Sequence, residues 1–174
     1  AASDVYKRQI VIYDHKKEKL VIIIPSGPKA DYVREQEIPV DKGIMGWVYR
    51  HNKPLIVNNV DTDDRFYKEV DRISGYKSKQ ILCVPLSVKN KLIGVIEVIN
   101  KKGKRGFNRN DMVLLEIFSA QSGIAIENTR LYYELRKLQY NFSSEESSGK
   151  LEYLEKRKQH LMNALQLISQ SYVR

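Results

Sequence analysis

The sequence has a single cysteine among 174 residues, and it contains no long apolar run. Because Cys83 has no second cysteine to pair with, an internal disulfide is excluded, and a reducing cytoplasm is the expected location. The longest apolar runs, Leu20 to Ile24 and Leu92 to Ile99, are far shorter than the ~20 residues of a membrane-crossing helix. With 42% hydrophobic and 29% charged side chains, the composition indicates a soluble chain with one core and an appendage.

Groups that carry catalysis are also scarce. His15, His51 and His160 are scattered without the spacing of metal ligands, so we predict no metal site. No Cys-His arrangement suggests a covalently attached bilin, so we expect no covalent cofactor. A nucleophile with a base, paired carboxylates or a phosphate loop does not occur at diagnostic spacing, so this chain is not expected to be an enzyme.

The formal net charge of +9 raises the question of nucleic-acid binding. The basic residues are spread over turns such as Lys16 to Lys19 and helices such as Glu155 to Lys158, where acids are mixed with them. Since no reading helix is recognisable, we interpret the charge as a solvated surface and expect no nucleic-acid partner.

The first nine residues, Ala1 to Gln9, differ in composition from the apolar run that begins at Ile10. They resemble the in-frame translation of a transposon adapter used in sequencing libraries. We therefore treat 1–9 as a separate segment that is not native sequence, and leave it out of the fold prediction. We expect the native protein to start further upstream.

Hydrophobic periodicity predicts a mixed α+β domain with an antiparallel sheet. Two hairpins and a lone strand are predicted from β-branched apolar runs separated by polar turns. The predicted strands are Ile10 to Tyr13, Leu20 to Ile24, Leu55 to Val57, Gln80 to Leu86 and Leu92 to Ile99. Two helices are predicted between them, one over Gly43 to His51 and a short one through Phe66, Tyr67 and Val70.

A long helix follows from Asp111 and carries a heptad stripe. Its apolar positions are Leu114, Ile117, Ile124, Leu131, Leu135, Leu138 and Phe142, with Gln121 and Asn128 between them. We expect this helix to pack on the sheet up to about Ile126 and to need a partner helix beyond it. The predicted domain covers 10–135.

Residues 136–174 are predicted to form an interrupted coiled-coil linker. Polar residues from Ser143 to Gly149 break the helix, after which a second stripe begins. That stripe comprises Leu151, Leu154, Leu161, Leu165, Ile168 and Tyr172. A lone amphipathic helix packed back on the domain is the alternative interpretation. We expect an output domain after Arg174.

The stretch Ile38 to Val48, the stretch Phe66 to Leu86 and the strand Ile93 to Lys101 together resemble a GAF domain. The resemblance is strongest to the regulatory domains of cyclic-nucleotide phosphodiesterases and bacterial cyclases. Their motif of Asn-Lys, Phe and Asp-Glu has its counterparts in Asn100, Lys101, Phe107 and Asp111, while Met112 stands where the motif has Glu. The resemblance implies a GAF-like antiparallel sheet with flanking helices and a long C-terminal signalling helix.

The resemblance also implies a pocket for a purine nucleotide, cyclic AMP or cyclic GMP. The implied ligand-binding residues are Ile44, Met45, Tyr67, Asp71, Ser74, Ser78 and Glu97. Ile44 and Met45 would present helix-terminal amides to a phosphate, and Glu97 would accept from the base edge. This sequence departs from the family at two positions of the pocket. Gln9 stands where the family has a serine in the first strand, and Pro25 stands where it has an aspartate after the second strand.

Independently of the resemblance, the carboxylate of Glu97 requires a physical explanation, because it interrupts an apolar strand and an unpaired buried charge is costly. A ligand acceptor and an ion pair with a nearby Lys or Arg are the two interpretations. We expect Lys101 and Asp111 to form a salt bridge that sets the start of the long helix.

These expectations define a ligand-sensing module of a signalling protein, relaying its state through a dimeric helix. The homodimer is expected to form through Leu131, Leu135, Leu138 and Phe142. The alternative is a ligand-free GAF domain used for dimerisation or protein contacts.

Overall fold

The computed structural model describes residues 7–27, 29–103 and 105–143, with side chains as far as 137, and the isolated positions 156, 157, 159, 160 and 163. The chain divides into two compact units, Ala1–Ala120 and Gln121–Arg174. All of the second stripe and, apart from Ser143 itself, the predicted break from Ser143 to Gly149 lie outside the described residues, as do the side chains of Leu138 and Phe142. The boundary between 135 and 136 stays a prediction.

Six strands and three helices make up the regular structure of the described residues. In chain order they are β1 (Lys7–Asp14), β2 (Lys19–Ser26), β3 (Glu37–Pro39), α1 (Gly43–His51), β4 (Leu55–Val57), α2 (Glu69–Ser74), β5 (Ile81–Val88), β6 (Lys91–Ile99) and α3 (Arg109–Ser143). Short 3₁₀ turns occur at Ala30–Val33 and Val60–Thr62.

The strands form one antiparallel sheet in the order β3-β2-β1-β6-β5-β4. Both predicted hairpins are present, because β-branched apolar runs separated by short polar turns pair with their chain neighbours. The predicted α+β class with an antiparallel sheet and flanking helices is confirmed.

Beyond shifts of one or two residues at several element ends, three features differ from the prediction. β1 begins at Lys7, within the segment that was left out of the fold prediction. β3 was not predicted, because its three residues are too few to show an alternation. The short helix α2 begins at Glu69, so Phe66 and Tyr67 precede it.

The main core lies on the sheet face that α1 and α2 cover. Side chains alternate along a strand, so Ile81 and Cys83 of β5 point into this core, while Leu82 and Val84 are buried on the opposite face. On β5 the main-chain oxygen of Pro85 accepts a hydrogen bond of 2.6 Å from Ser119 Oγ of α3.

The heptad stripe does not face the sheet in the way we expected. Leu114 and Ile117 were predicted to be covered, yet they are 62% and 47% exposed, whereas Ser119 on the other side of the helix is 3% exposed. Ser119 makes a contact with the sheet instead, because its short side chain lets the helix approach the strand closely enough to hydrogen-bond to the backbone.

The second unit contains the C-terminal part of α3. Here Tyr133 is buried and its hydroxyl donates to the main-chain oxygen of Lys156 at 3.1 Å. Arg130 forms an ion pair of 3.0 Å with Glu127 on the same helix. Leu131 and Leu135 are exposed.

Within the described part of the chain, no helix combines the length and apolar character that crossing a membrane requires. In the same residues, no cluster of three or more His, Cys, Asp and Glu side chains could hold a metal ion.

Candidate functional site

Glu97 lies on β6 with its side chain in the main core, and only 2% of the residue is exposed. Its cross-strand neighbours are Gln9 on β1 and Cys83 on β5. Gln9 Nε2 donates a hydrogen bond to Glu97 Oε1 and lies 3.9 Å from Met45 Sδ of α1. The carboxyl group is therefore hydrogen-bonded to an amide of the neighbouring strand.

Burial raises the pKa of Glu97 to about 7, because a charged carboxylate is poorly solvated in this core. The hydrogen bond from Gln9 and the positive charge of Lys7 act in the opposite direction, and the negative charge of Asp71 adds to the rise. At neutral pH the group is consequently divided between its neutral and charged forms. It can both donate and accept a hydrogen bond.

Lys7 is the second ionisable group of this core and is fully buried. Its ammonium lies over the ring of Tyr76, 5.0 Å from the centroid. Burial lowers its pKa, and the charges of Glu97 and Asp71 oppose that shift only in part. Among the described residues, Lys7 Nζ and Gln9 Oε1 are the buried side-chain polar atoms that make no hydrogen bond.

Asp71 and Ser78 join α2 to the loop after it. The Asp71 carboxylate accepts from the Ser78 amide at 2.6 Å and from the Ser78 hydroxyl at 2.7 Å. Two charge-assisted hydrogen bonds hold the aspartate in place beside the core. Both side chains face the same space as Glu97.

Ser74 has a different environment from the other predicted site residues. It is buried at the end of α2, where its hydroxyl donates to the Val70 carbonyl at 2.9 Å and accepts from the Tyr76 amide at 3.2 Å. These bonds satisfy polar backbone groups at the helix end. Ser74 is not among the residues that line the space.

The first turn of α1 forms the opposite wall. Gly43 has φ +75°, and a Cβ there would lie 3.1 Å from Cβ of Tyr67, so glycine allows the two segments to approach. The preceding residue, Lys42, makes no side-chain cap to the helix. Ile44 and Met45, in this first turn, are buried.

Asn100 organises the loop that carries Ser78. Its Oδ1 accepts from the amides of Lys79 and Gln80, at 2.7 and 3.2 Å, and its Nδ2 donates to the Lys77 carbonyl and the Tyr76 hydroxyl, at 2.9 and 3.1 Å. The backbone of Asn100 adopts the left-handed conformation, with φ +57°.

Lys101 and Asp111 connect the end of β6 to the start of α3. The predicted salt bridge is present, with Lys101 Nζ 2.5 Å from Asp111 Oδ2, which also accepts from the Asn108 amide at 2.8 Å. Phe107 is buried, and its main-chain amide and carbonyl hydrogen-bond to the Asn58 side chain. The four motif residues therefore fix the connection between the sheet and α3.

The space among these groups is small. It is lined by six of the seven residues predicted to bind ligand, namely Ile44, Met45, Tyr67, Asp71, Ser78 and Glu97, and also by Gln9. Its volume of about 20 Å³ admits about one water molecule, whereas ligand pockets commonly measure ~300 Å³ or more. The predicted side chains converge, but the nucleotide-sized hollow we expected is not open in this conformation.

Comparison with known families identifies the fold. Residues 5–126, more than half of the chain, match the GAF domain family. The chain belongs to this family. The predicted resemblance is thereby confirmed, and GAF domains are regulatory sensor domains rather than catalytic ones.

Two curated relatives of this GAF domain are phosphodiesterases. Over 109 residues, 63% of the chain, it is 33% identical to the probable 3′,5′-cyclic phosphodiesterase pde-5 of Caenorhabditis elegans and covers 15% of that protein. Over 105 residues, 59% of the chain, it is 35% identical to the dual 3′,5′-cyclic-AMP and -GMP phosphodiesterase 11A of Takifugu rubripes and covers 12% of it. The chain thus spans only a small part of these relatives.

Solved structures show the same fold. The GAF domain of a phosphoenolpyruvate-protein phosphotransferase (ptsP) from Coxiella burnetii superposes with a TM-score of 0.62 at 16% identity, over 72% of this chain and 74% of that one. Residues 122 to 287 of a methyl-accepting chemotaxis protein superpose with a TM-score of 0.61 at 24% identity, over 70% and 77% of the two chains. At such identities the likeness shows the fold alone.

Sequence reasoning missed Lys7, and it left Gln9, the counterpart of the family's first-strand serine, out of the predicted ligand-binding residues. They were excluded with the segment 1–9, although strand alternation from Val11, a core residue, would have placed both on the core side of the GAF sheet. Alternation along β1 was therefore the signal that could have found them.

Proposed function

We propose that this GAF domain is a regulatory module that senses a small molecule, with cyclic AMP or cyclic GMP as the candidate ligand. The supporting observation is Glu97, a buried acid with a pKa of about 7 that faces the same space as Asp71 and Ser78. Buried polar groups directed at one space between apolar walls are typical of small-molecule sites. The phosphodiesterase relatives support the choice of ligand.

The chemistry of the walls suits a nucleotide. The amides of the first turn of α1 have no intrahelical partner, and Lys42 adds no side-chain cap, so a phosphate can accept from them. Glu97, which can donate or accept, suits a base or ribose edge. The ligand would be held between Ile44 and Met45 on one side and Tyr67 and Asp71 on the other.

A nucleotide needs more room than about 20 Å³, so binding requires an opening of this space. We expect the segment from Tyr67 to Ser78, which contains α2, to undergo the largest movement when the space opens. Asp71 and Ser78, which now bond to one another, would exchange part of these bonds for bonds to the ligand. Ligand binding and a rearrangement of this segment are then one equilibrium.

A chain of contacts leads from that segment to α3. Ser78 belongs to the loop that Asn100 holds, and the next residue, Lys101, forms the ion pair with Asp111 in the first turn of α3. A shift of the loop would therefore be felt at the start of the helix. We propose that α3 relays the ligand state, as a homodimer through Leu131, Leu135, Leu138 and Phe142, to an output domain such as a kinase or cyclase.

Isothermal titration calorimetry with cyclic AMP and cyclic GMP tests the sensing function. We expect saturable binding of one of them, weakened about tenfold or more by Ser78→Ala and by Glu97→Ala, because each change removes a polar contact in the pocket. Ser87→Ala, at the other end of β5, is the matched control and should bind like the unchanged chain. If neither nucleotide gives a measurable heat of binding, the proposal that this domain binds a cyclic nucleotide is wrong.

A ligand-free dimerisation or protein-interaction domain is the second candidate, and the small volume of the space favours it. Light scattering after size-exclusion separates the two functions. Both predict a dimer, but only the sensor predicts a change of hydrodynamic size or subunit affinity when nucleotide is added. The cytoplasm is the proposed location in either case.

We also propose that Lys7 and Gln9 replace other residues of the natural strand. The buried Lys7 ammonium without a hydrogen bond supports this, because such groups are rare in native cores. Lys7→Met is therefore expected to raise the free energy of unfolding by about 1–3 kcal/mol, as measured by urea denaturation.

The control for this change is Lys91→Met on the exposed start of β6, which should stay within about 0.5 kcal/mol of the unchanged chain. A clear loss of stability in Lys7→Met would mean that the core depends on the cation, and would count against a foreign origin of this segment.

A further inference from the structure

The connection between β2 and β3, residues 27–36, is joined to the end of α2 by a lysine side chain. Lys29 Nζ donates a hydrogen bond of 2.8 Å to the main-chain oxygen of Gly75, the C-cap residue of α2. The last carbonyl groups of a helix have no intrahelical partner and carry a partial negative charge, so an ammonium group is a favourable donor there. The bond joins two segments that are 46 residues apart in the sequence.

The backbone of Lys29 is held in a conformation that lysine rarely adopts. Its φ of +62° and ψ of 25° lie in the left-handed region. Strained residues of this kind persist where the surrounding structure holds them, and they occur often at ligand sites and switch regions. Val33, in the 3₁₀ turn that Lys29 precedes, is fully buried in the main core. The Lys29 side chain therefore reaches α2 from an anchored support.

The walls of the small space beside Glu97 differ in how firmly they are attached. The sheet wall belongs to interior strands of the sheet. On α1, Val48 is fully buried, and Gly46 approaches the backbone so closely that a Cβ there would lie 2.5 Å from the Val40 oxygen. These two walls cannot give way without disturbing the core.

The wall formed by α2 is attached more weakly. This helix has six residues, of which Val70 packs in the main core, while Ile73 is 38% exposed. So short a helix is not stable by itself and depends on the contacts that other segments make with it. A displacement of α2 relative to the connection 27–36 breaks the bond from Lys29.

We propose that Lys29 is a positioning residue that keeps the empty site closed by holding α2 against the connection between β2 and β3. This deepens the proposed sensing function and rests on it for the ligand. The bond from Lys29 stabilises the conformation whose space measures about 20 Å³, which is too small for a nucleotide. The apparent affinity for ligand is therefore the intrinsic affinity reduced by the fraction of molecules that are open.

Removal of the Lys29 ammonium should consequently make ligand binding tighter. Two other roles of Lys29 predict the opposite sign. If the lysine only attracted an anionic nucleotide, loss of its charge would weaken binding. If it only supported the shape of the site, its loss would also weaken binding. Tighter binding by a variant that has lost a positive charge and a hydrogen bond is therefore specific to a residue that holds the site closed.

Hydrogen exchange without nucleotide tests the closure itself. The Arg72 amide, which donates to the Lys68 carbonyl at 2.9 Å, reports the opening of α2. In Lys29→Met this amide and its neighbours in α2 are expected to exchange about threefold to tenfold faster, because one hydrogen bond of the closed state is lost. Amides in the middle of β6 should exchange at their original rates, which shows that the core is intact.

Two further substitutions of Lys29 separate the side chain from the backbone. Lys29→Gly removes the ammonium and adopts φ +62° without strain, so it should speed exchange in α2 as Lys29→Met does. Lys29→Arg retains a cationic donor for the Gly75 carbonyl and should restore slow exchange. Lys53→Met, which removes the same charge from the exposed segment between α1 and β4, is the matched control and should leave α2 unchanged.

If α2 exchanges at the original rate in both Lys29→Met and Lys29→Gly, the proposed role of Lys29 is wrong, whatever the nucleotides do. Calorimetry then tests the consequence for the ligand. Lys29→Met is expected to bind the cyclic nucleotide about threefold to tenfold more tightly than the unchanged chain, and Lys53→Met to bind it equally well.

Weaker binding by Lys29→Met would overturn the proposal, because Lys29 would then hold α2 in the ligand-bound state as well. The failure of the sensing function has a different signature. Faster exchange of α2 in Lys29→Met, together with no heat of binding from either nucleotide in any variant, would remove cyclic-nucleotide sensing and leave the closure of α2 by Lys29 standing.

Discussion

Glu97→Gln is expected to raise the free energy of unfolding at pH 8 by about 2–3 kcal/mol more than at pH 5. The folded protein holds the pKa of Glu97 at about 7, above its ordinary value of 4.5, since burial penalises the charged form. The folded state therefore keeps its proton more tightly than the unfolded state does. The contribution of Glu97 to the free energy of unfolding is fully present below about pH 4.5, and it is lost as the pH rises through 7.

Glutamine has nearly the same shape as glutamate and stays neutral. The stability of the variant should therefore not fall as the pH rises from 5 to 8. Urea denaturation of both proteins at several pH values between 5 and 8 measures the difference. If both show the same pH dependence, Glu97 is charged in the core and the ion-pair interpretation, with Lys7 as the partner, is the correct one.

Glu37→Gln is a control with the opposite sign. Hydrogen bonds from Lys17 and Lys19 lower the pKa of Glu37 to about 2. The contribution of Glu37 to folding stability is fully present above the pKa that this group has in the unfolded chain, 4.5. It is lost as the pH falls towards 2. With the measurements extended down to pH 2, Glu37→Gln should change the profile below about pH 4.5 and Glu97→Gln above it, in opposite directions.

Asn100→Ala is expected to lower the free energy of unfolding by about 3 kcal/mol and to weaken nucleotide binding. The change removes four hydrogen bonds to the loop that carries Ser78, each of net value ~0.5–1.5 kcal/mol. It also leaves alanine at φ +57°, a conformation that side chains other than Asn, Asp and Gly rarely adopt.

Asn90→Ala is the matched control, because Asn90 has φ +62° in the exposed turn between β5 and β6. It should cost only the backbone strain, about 1 kcal/mol. Asn100→Gly removes the strain but also the hydrogen bonds, and should lie between the two. Equal losses for Asn100→Ala and Asn90→Ala would show that the loop does not depend on the Asn100 network.

Local pattern was sufficient for most of the fold. The two hairpins and α1 were predicted because their hydrophobic periods are properties of short segments, which the rest of the chain does not alter. The start of β1 was missed because the adapter-like residues 1–9 were left out of the fold prediction, and β3 was missed because three residues show no period. Family motifs then selected Glu97, Asp71 and Ser78 from many polar residues.

The state of the site needed the tertiary structure. Ser74 and Ser78 are both serines near the end of α2, yet one bonds to the helix backbone and the other to Asp71 across the space. Sequence spacing could not separate them, because the difference arises from how the loop after α2 folds back under Asn100.

The sequence by itself determined the elements, the family and the heptad stripe of α3, because each depends on residue order within a segment. Only the tertiary structure decided that Glu97 meets Gln9, that the space beside it is closed to about 20 Å³, and that the apolar stripe residues from Leu114 to Leu135 are exposed. Cross-strand register and the choice of which helix face packs are set by contacts between distant segments. No single segment contains that information.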